Sequence, residues 1–138
     1  MSSAGTIEKK LSRFGQLVDH FVNATLKIQY PEVLYRASRH LFEAGGKRVR
    51  PFFVLESCVV VGGDLERTVP LAAAVELLHN FTLIHDDIMD NDDFRRNVPT
   101  VHKLYGTPIA IASGDLLFAK VYEAVCKWAD ESTPSQRK

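Results

Sequence analysis

Cysteine is scarce. Cys58 and Cys126 are the only two among 138 residues, with no CxxC pair and no zinc-type spacing. A disulfide-stapled miniprotein is excluded. The apolar neighbours of both residues suggest two buried free thiols in a reducing compartment. Neither sign of charge is in excess, since 17 Lys and Arg balance 17 Asp and Glu. Bulk attraction to nucleic acid or an anionic membrane is not indicated, and neither is expected as a partner. Long hydrophobic runs are missing too. Uncharged stretches such as 68–75 and 104–114 fall well short of the roughly 18 apolar residues of a membrane span. The start, Met1-Ser2-Ser3-Ala4-Gly5, runs into charged residues without the apolar core of a signal peptide. A cytoplasmic protein with no transmembrane segment is expected.

What is present is ordinary for a globular domain: 46% apolar and 25% charged residues. The length suits one domain, taken as a single helical unit over 1–138. Ile7, Leu11, Phe14, Val18, Phe21 and Val22 recur at helical steps. Pro31 suits the start of a second helix, carried on by Leu34, Leu41 and Phe42 and ended by Gly45-Gly46. Pro51 opens a third, dense in Phe52, Phe53, Leu55, Val59 and Val60, and Gly62-Gly63 closes it. The longest helix is expected from Pro70 to about Asp90, then a polar loop from Asn91 to Thr100. A short turn follows over His102 to Gly106. Pro108 or Ser113 starts a last helix through Leu116, Phe118, Val121, Tyr122 and Val125, before a polar tail from Glu131 to Lys138. No run of strand length alternates clearly, with Val59 to Val61 ambiguous. The expected fold class is all-α, an antiparallel helical bundle.

The chemistry concentrates in two places. Asp86, Asp87, Asp90, Asp92 and Asp93 put five carboxylates into eight residues. Asp86 and Asp90 are four apart and share a helix face. They lie at a helix C-terminus, where the macrodipole disfavours negative charge, so cations are expected nearby. An oxygen-only ligand set suits Mg²⁺, which takes one or two carboxylates together with phosphate oxygens. A solvated acidic face is the alternative. EF-hand spacing fails, and HExxH is absent although His79, His85 and His102 occur.

Gly45-Gly46-Lys47-Arg48-Val49-Arg50-Pro51 sets three cations between two helices. Glycine permits close backbone approach, and a helix start supplies free N–H donors, so this is a candidate anion site. Solvated basic residues finishing a helix end are the alternative. Arg95 and Arg96 follow the acidic cluster. Their forks match phosphate oxygens, but they could equally be salt-bridged to the aspartates. A carboxylate pair between two cationic anchors describes a site for two phosphate-rich groups. His79, two helical turns before Asp86, shares that face.

GGKRVRP at 45–51, DDIMD at 86–90 and RRNVPTVHKLYG at 95–106, in this order, resemble the trans-isoprenyl diphosphate synthases, or polyprenyl synthetases. The resemblance runs from the first helix to about Trp128. It implies an all-α bundle around a central cavity and the head-to-tail joining of isopentenyl diphosphate to an allylic diphosphate. By the resemblance, Asp86 and Asp90 would coordinate Mg²⁺ ions on the allylic diphosphate, with Asp87 supporting them. Arg95 would contact that diphosphate. Lys47, Arg50, His79 and Arg96 would hold isopentenyl diphosphate, and Arg48 is less clearly a ligand. Phe81, five residues before Asp86, with Thr82 beside it, resembles the chain-length position of archaeal-type geranylgeranyl diphosphate synthases. On an ideal helix Phe81 points away from the Asp86 face and Thr82 points nearer to it.

Members of the family are roughly twice this length and carry a second aspartate-rich motif that has no counterpart here. The expectation is therefore the N-terminal half of the bundle: a truncated form, or one half of a split enzyme with a complementing C-terminal chain. A homodimer or a non-catalytic partner of a second synthase are alternatives.

Overall fold

The computed structural model describes residues 3–130. The expected polar tail from Glu131 to Lys138 lies outside the described residues. Among those described, six helices run in order: α1 (Ser3–Thr25), α2 (Glu32–Glu43), α3 (Val49–Val60), α4 (Leu65–Asp90), α5 (Val101–Tyr105) and α6 (Thr107–Asp130). The fold is all-α. The one addition is an antiparallel hairpin of two-residue strands, β1 (Phe94–Arg95) and β2 (Val98–Pro99), inside the stretch expected to be loop.

α4 is the central element. It packs most extensively on α6, and also against α3 and α1, while α2 packs on α6. The core is filled by Phe14, Val18, Leu41, Leu55, Leu77, Ile84 and Leu117, all fully buried. In α1, Phe14, Val18 and Val22 recur every four residues and face inward. Ile7, expected in that stripe, is 58% exposed because the first turns of α1 overrun the core. α3 buries only Pro51 and Leu55, and leaves Phe53, Val59 and Val60 exposed. The Val59–Val61 ambiguity resolves as the end of this helix.

Three sequence expectations are corrected. α4 starts at Leu65 rather than Pro70, because Asp64 caps it: the carboxylate accepts from the Arg67 backbone N–H at 3.2 Å. Pro70 is accommodated inside the helix, where only the Glu66 carbonyl loses its i+4 donor. The thiols are free but not both buried: Cys58 is half-buried and Cys126 exposed. Leu117 and Ala124 carry the inward face of α6, and Cys126 falls off it. The hairpin was hidden because its two-residue turn is Arg96-Asn97, with φ of 53° and 64°, and not the usual Asn-Gly or Asp-Gly. Thr100 anchors the far side, its hydroxyl donating to the Asp92 carbonyl at 2.8 Å and its N–H to the Asp93 carbonyl at 3.0 Å.

The Asp64 cap gives the first prediction. Asp64→Ala should lower unfolding free energy by about 1 kcal/mol in urea titration. No change would mean that the helix is held from Pro70 onward instead.

Candidate functional site

The loop between α2 and α3 turns on glycine. Gly45 and Gly46 have φ of 96° and 149°. A Cβ at Gly46 would stand 2.6 Å from Arg48 Nη1 and 3.2 Å from Arg96 Cζ, so a side chain there would displace both guanidinium groups. Arg48 follows in the left-handed region, φ 52°, and turns inward. It is buried. Its Nε donates to Asp19 Oδ1 at 2.7 Å, Nη1 to Glu76 Oε1 at 3.4 Å and to the Gly45 carbonyl at 3.3 Å, and Nη2 to the Phe42 carbonyl at 3.2 Å. Its neighbours Lys47 and Arg50 stay exposed.

Lys47, Arg48, Arg50, Glu76, His79 and Arg96 line a recess of about 150 Å³. The four residues expected to hold isopentenyl diphosphate are therefore brought together from the α2–α3 loop (Lys47), the first turn of α3 (Arg50), α4 (His79) and the hairpin (Arg96). Arg50 Nη1 donates to His79 Nε2 at 3.2 Å. Burial pushes the His79 pKa below its ordinary value, and the charge of Arg50 pushes it further in the same direction. Arg96 turns its Nη1 onto the Leu41 and Gly45 carbonyls at the end of α2. Burial, and then the nearby charge of Arg48, lower the Arg96 pKa, yet an arginine remains a cation.

The acidic helix end holds the second cluster. Asp86 is half-buried and Asp90 exposed, one turn apart. Asp87 is different. It is fully buried, and its Oδ1 accepts from Arg95 Nε at 2.6 Å while Oδ2 has no partner. Burial pushes the Asp87 carboxyl up, and the Arg95 hydrogen bond and charge oppose that shift. The cations expected near this helix end are Arg95 and Lys103. Lys103 Nζ lies 3.0 Å from Asp93 and donates to Asn91 Oδ1 at 3.1 Å. Both nitrogens of the His102 ring are buried without a partner, on the helix that follows the hairpin. Among the described residues no three His, Cys, Asp or Glu side chains gather into a metal cage. Two one-turn-apart carboxylates nevertheless suit Mg²⁺, which takes most of its oxygens from phosphate and water.

Phe81 leans onto α6, with ring centroids 4.6 Å from His85 and 5.1 Å from Phe118, and Phe118 stacks edge-on with Tyr122. Thr82 is exposed and its hydroxyl donates to the His79 carbonyl at 2.8 Å.

The polyprenyl synthetase family model matches residues 31–135. The chain belongs to the polyprenyl synthetase family. It is 59% identical over 97 residues to a short chain isoprenyl diphosphate synthase of Methanocaldococcus jannaschii, covering 70% of this chain and 30% of that one. It is 54% identical over 108 residues to a geranylgeranyl diphosphate synthase of Saccharolobus solfataricus, covering 78% and 31%. The solved geranylgeranyl pyrophosphate synthetase of Pyrococcus horikoshii is similar at a TM-score of 0.82 and 48% identity, over 88% of this chain and 38% of that one. The chain thus spans about a third of the length of these polyprenyl synthetases.

Sequence reasoning missed Glu76, Asn80 and Asp19. Glu76 is a lone acid within LAAAVELLHNF, and that charge in an apolar helix was the available signal. Asn80 Nδ2 donates to its side chain at 3.2 Å and to its carbonyl at 2.9 Å.

The His79 shift makes stability depend on pH. A depressed folded pKa means that the unfolded chain binds the proton first as pH falls through 6.5. The stability from neutral His79 is present above that value and is lost below it. In paired urea titrations at pH 7.5 and 5.5, His79→Gln should lose less stability on acidification than the wild type. An equal loss in both proteins would refute the assignment.

Proposed function

We propose that the chain supplies the diphosphate-binding half of a Mg²⁺-dependent prenyltransferase that condenses isopentenyl diphosphate with an allylic diphosphate, toward geranylgeranyl diphosphate. One observation carries the reading. His79 and the acidic end lie on one helix, α4, about 10 Å apart along its axis, and the hairpin sends Arg95 to the acidic end and Arg96 to the recess. Two anion sites are thereby held side by side.

In this reading Asp86 and Asp90 hold Mg²⁺ on the allylic diphosphate, with Arg95 alongside. Bound Mg²⁺ would supply charge stabilisation for the departing diphosphate. The allylic C–O bond breaks with its electron pair leaving on diphosphate. The double bond of isopentenyl diphosphate adds to the allylic cation, a new C–C bond forms, and the adjacent C–H bond gives its electron pair to the new double bond and its proton to the released diphosphate. Lys47, Arg50, His79 and Arg96 fix the second diphosphate so that its double bond is aimed at the cation. Phe81, backed by Phe118, is the proposed floor for the growing chain, with Thr82 at its side.

Among the described residues this reading gives Mg²⁺ two carboxylates, Asp86 and Asp90, and apolar side chains on α3, α4 and α6 are exposed, Met89 by 73% and Tyr122 by 61%. The active assembly is therefore proposed to include further protein, as a complementing C-terminal chain or a second copy. A non-catalytic partner of a full synthase is the second reading, favoured only by those open apolar faces. No helix among the described residues is long and apolar enough to cross a membrane, and a cytoplasmic setting is proposed.

Calorimetry with inorganic pyrophosphate and Mg²⁺ tests the reading. Asp86→Ala and Asp90→Ala should each abolish the Mg²⁺-dependent part of binding, and survival of that part in either variant would refute the metal assignment. Labelled isopentenyl diphosphate with farnesyl diphosphate should give product only when a complementing C-terminal chain is added. In that complete assembly, Phe81→Ala should lengthen the product, and an unchanged product would remove Phe81 as the floor.

A further inference from the structure

Arg48 lines the cationic recess, yet its guanidinium is buried and taken up by protein partners. All of its hydrogen bonds go inward, to Asp19, Glu76 and the carbonyls of Phe42 and Gly45. Its side chain is 6% exposed, against exposed Lys47 and Arg50 on either side. The left-handed backbone at Arg48 produces this alternation, a conformation that is unfavourable for a residue with a long side chain and that persists only where its surroundings fix it. Glu76 is equally out of place as a ligand. An acid lining an anion recess repels the anion, and Glu76 is buried with its Oε1 shared by Arg48 and Asn80.

We propose that Arg48 is a positioning residue for the recess: clamped to Glu76, Asp19 and two carbonyls, it fixes the loop end and helix start from which Lys47 and Arg50 reach a diphosphate. The inference rests on the diphosphate reading of this recess and adds residues to it that do not touch the ligand. Arg96 shares the Gly45 carbonyl with Arg48, and both guanidinium groups pack on Gly46. One buried arginine is therefore set between exposed Lys47 and Arg50 and half-buried Arg96. Lysine cannot replace it, because a single ammonium cannot reach two carboxylates and two carbonyls in a planar fork.

The test compares wild type, Arg48→Lys and Leu117→Ala. The last removes a buried core side chain on α6 that does not line the recess. Two quantities are read well below the melting temperature of each protein: affinity for inorganic pyrophosphate in metal-free buffer, and the ring titration of His79 by NMR. Arg48→Lys should weaken pyrophosphate binding about tenfold or more. It should also raise the His79 titration toward 6.5, because loosening the loop withdraws both Arg50 and burial from the ring. Leu117→Ala should lose stability and change neither. Unchanged His79 titration and affinity in Arg48→Lys would overturn the proposal. So would equal losses in Leu117→Ala, which would make the effect general destabilisation. If the wild type binds no pyrophosphate, the diphosphate reading fails, and the His79 titration alone still decides whether Arg48 positions the loop.

Discussion

Three guanidinium groups, those of Arg48, Arg95 and Arg96, crowd one end of the helical bundle, and everything functional in the chain depends on how that crowding is neutralised. Each is held by a different kind of partner. Arg48 has two carboxylates and two carbonyls, Arg95 has buried Asp87, and Arg96 has the last carbonyls of α2. The end of a helix exposes carbonyl oxygens with no donor of their own, and a cation there also meets the negative end of the dipole. The α2 terminus is thus an electrostatic floor under Arg96. Without these partners the cations would repel one another and spread into solvent. With them, the exposed cations Lys47 and Arg50 stand around a recess whose charge suits the polyanion proposed for it.

Stability alone does not account for this arrangement. Buried ion pairs often contribute little or nothing relative to well-packed apolar residues, because desolvation offsets the Coulomb gain. Arg48 and Glu76 could have been a leucine pair in a helical core. What a leucine pair cannot do is hold a glycine loop at a fixed height above α4 while leaving its neighbours outward. The same argument applies at the acidic end. Burying Asp87 raises its pKa, an unfavourable position for a carboxylate, and its hydrogen bond aims Arg95 toward the exposed aspartates. In both clusters a buried acid orients an arginine, and an exposed set of groups is left for the ligand.

Much of this was legible in the sequence because local patterns and function coincide there. Glycines 45 and 46 marked a turn, the 86–90 spacing placed two carboxylates on one face, and the helical period of α1 named Phe14, Val18 and Val22. The errors share a cause. The start of α4 was set by a side-chain cap at Asp64, which competes with the stronger but misleading punctuation of Pro70. The hairpin has an arginine where glycine or asparagine is usual, and its conformation is held by contacts with α2, 55 and 51 residues away in sequence. Glu76 and Asp19 belong to no motif. Their roles come from a tertiary meeting with Arg48 across 28 and 29 residues, which no local period encodes.

The open aromatic face decides what the half-site can do by itself. Phe81, Phe118 and Tyr122 form a continuous stack across α4 and α6, with Ile111 and Leu78 exposed on the same two helices. A polyanion can bind at the charged end without this face being covered, since ion pairing tolerates water on one side. An allylic cation cannot form there and survive, because water that reaches the stack would capture it. Binding and turnover therefore make different demands on the same residues. In the proposed reading, binding needs the cations of the recess and the aspartate pair, which lie within the described residues. Turnover in the proposed reaction also needs an apolar cover over Phe118 and Tyr122, which stand 40% and 61% exposed.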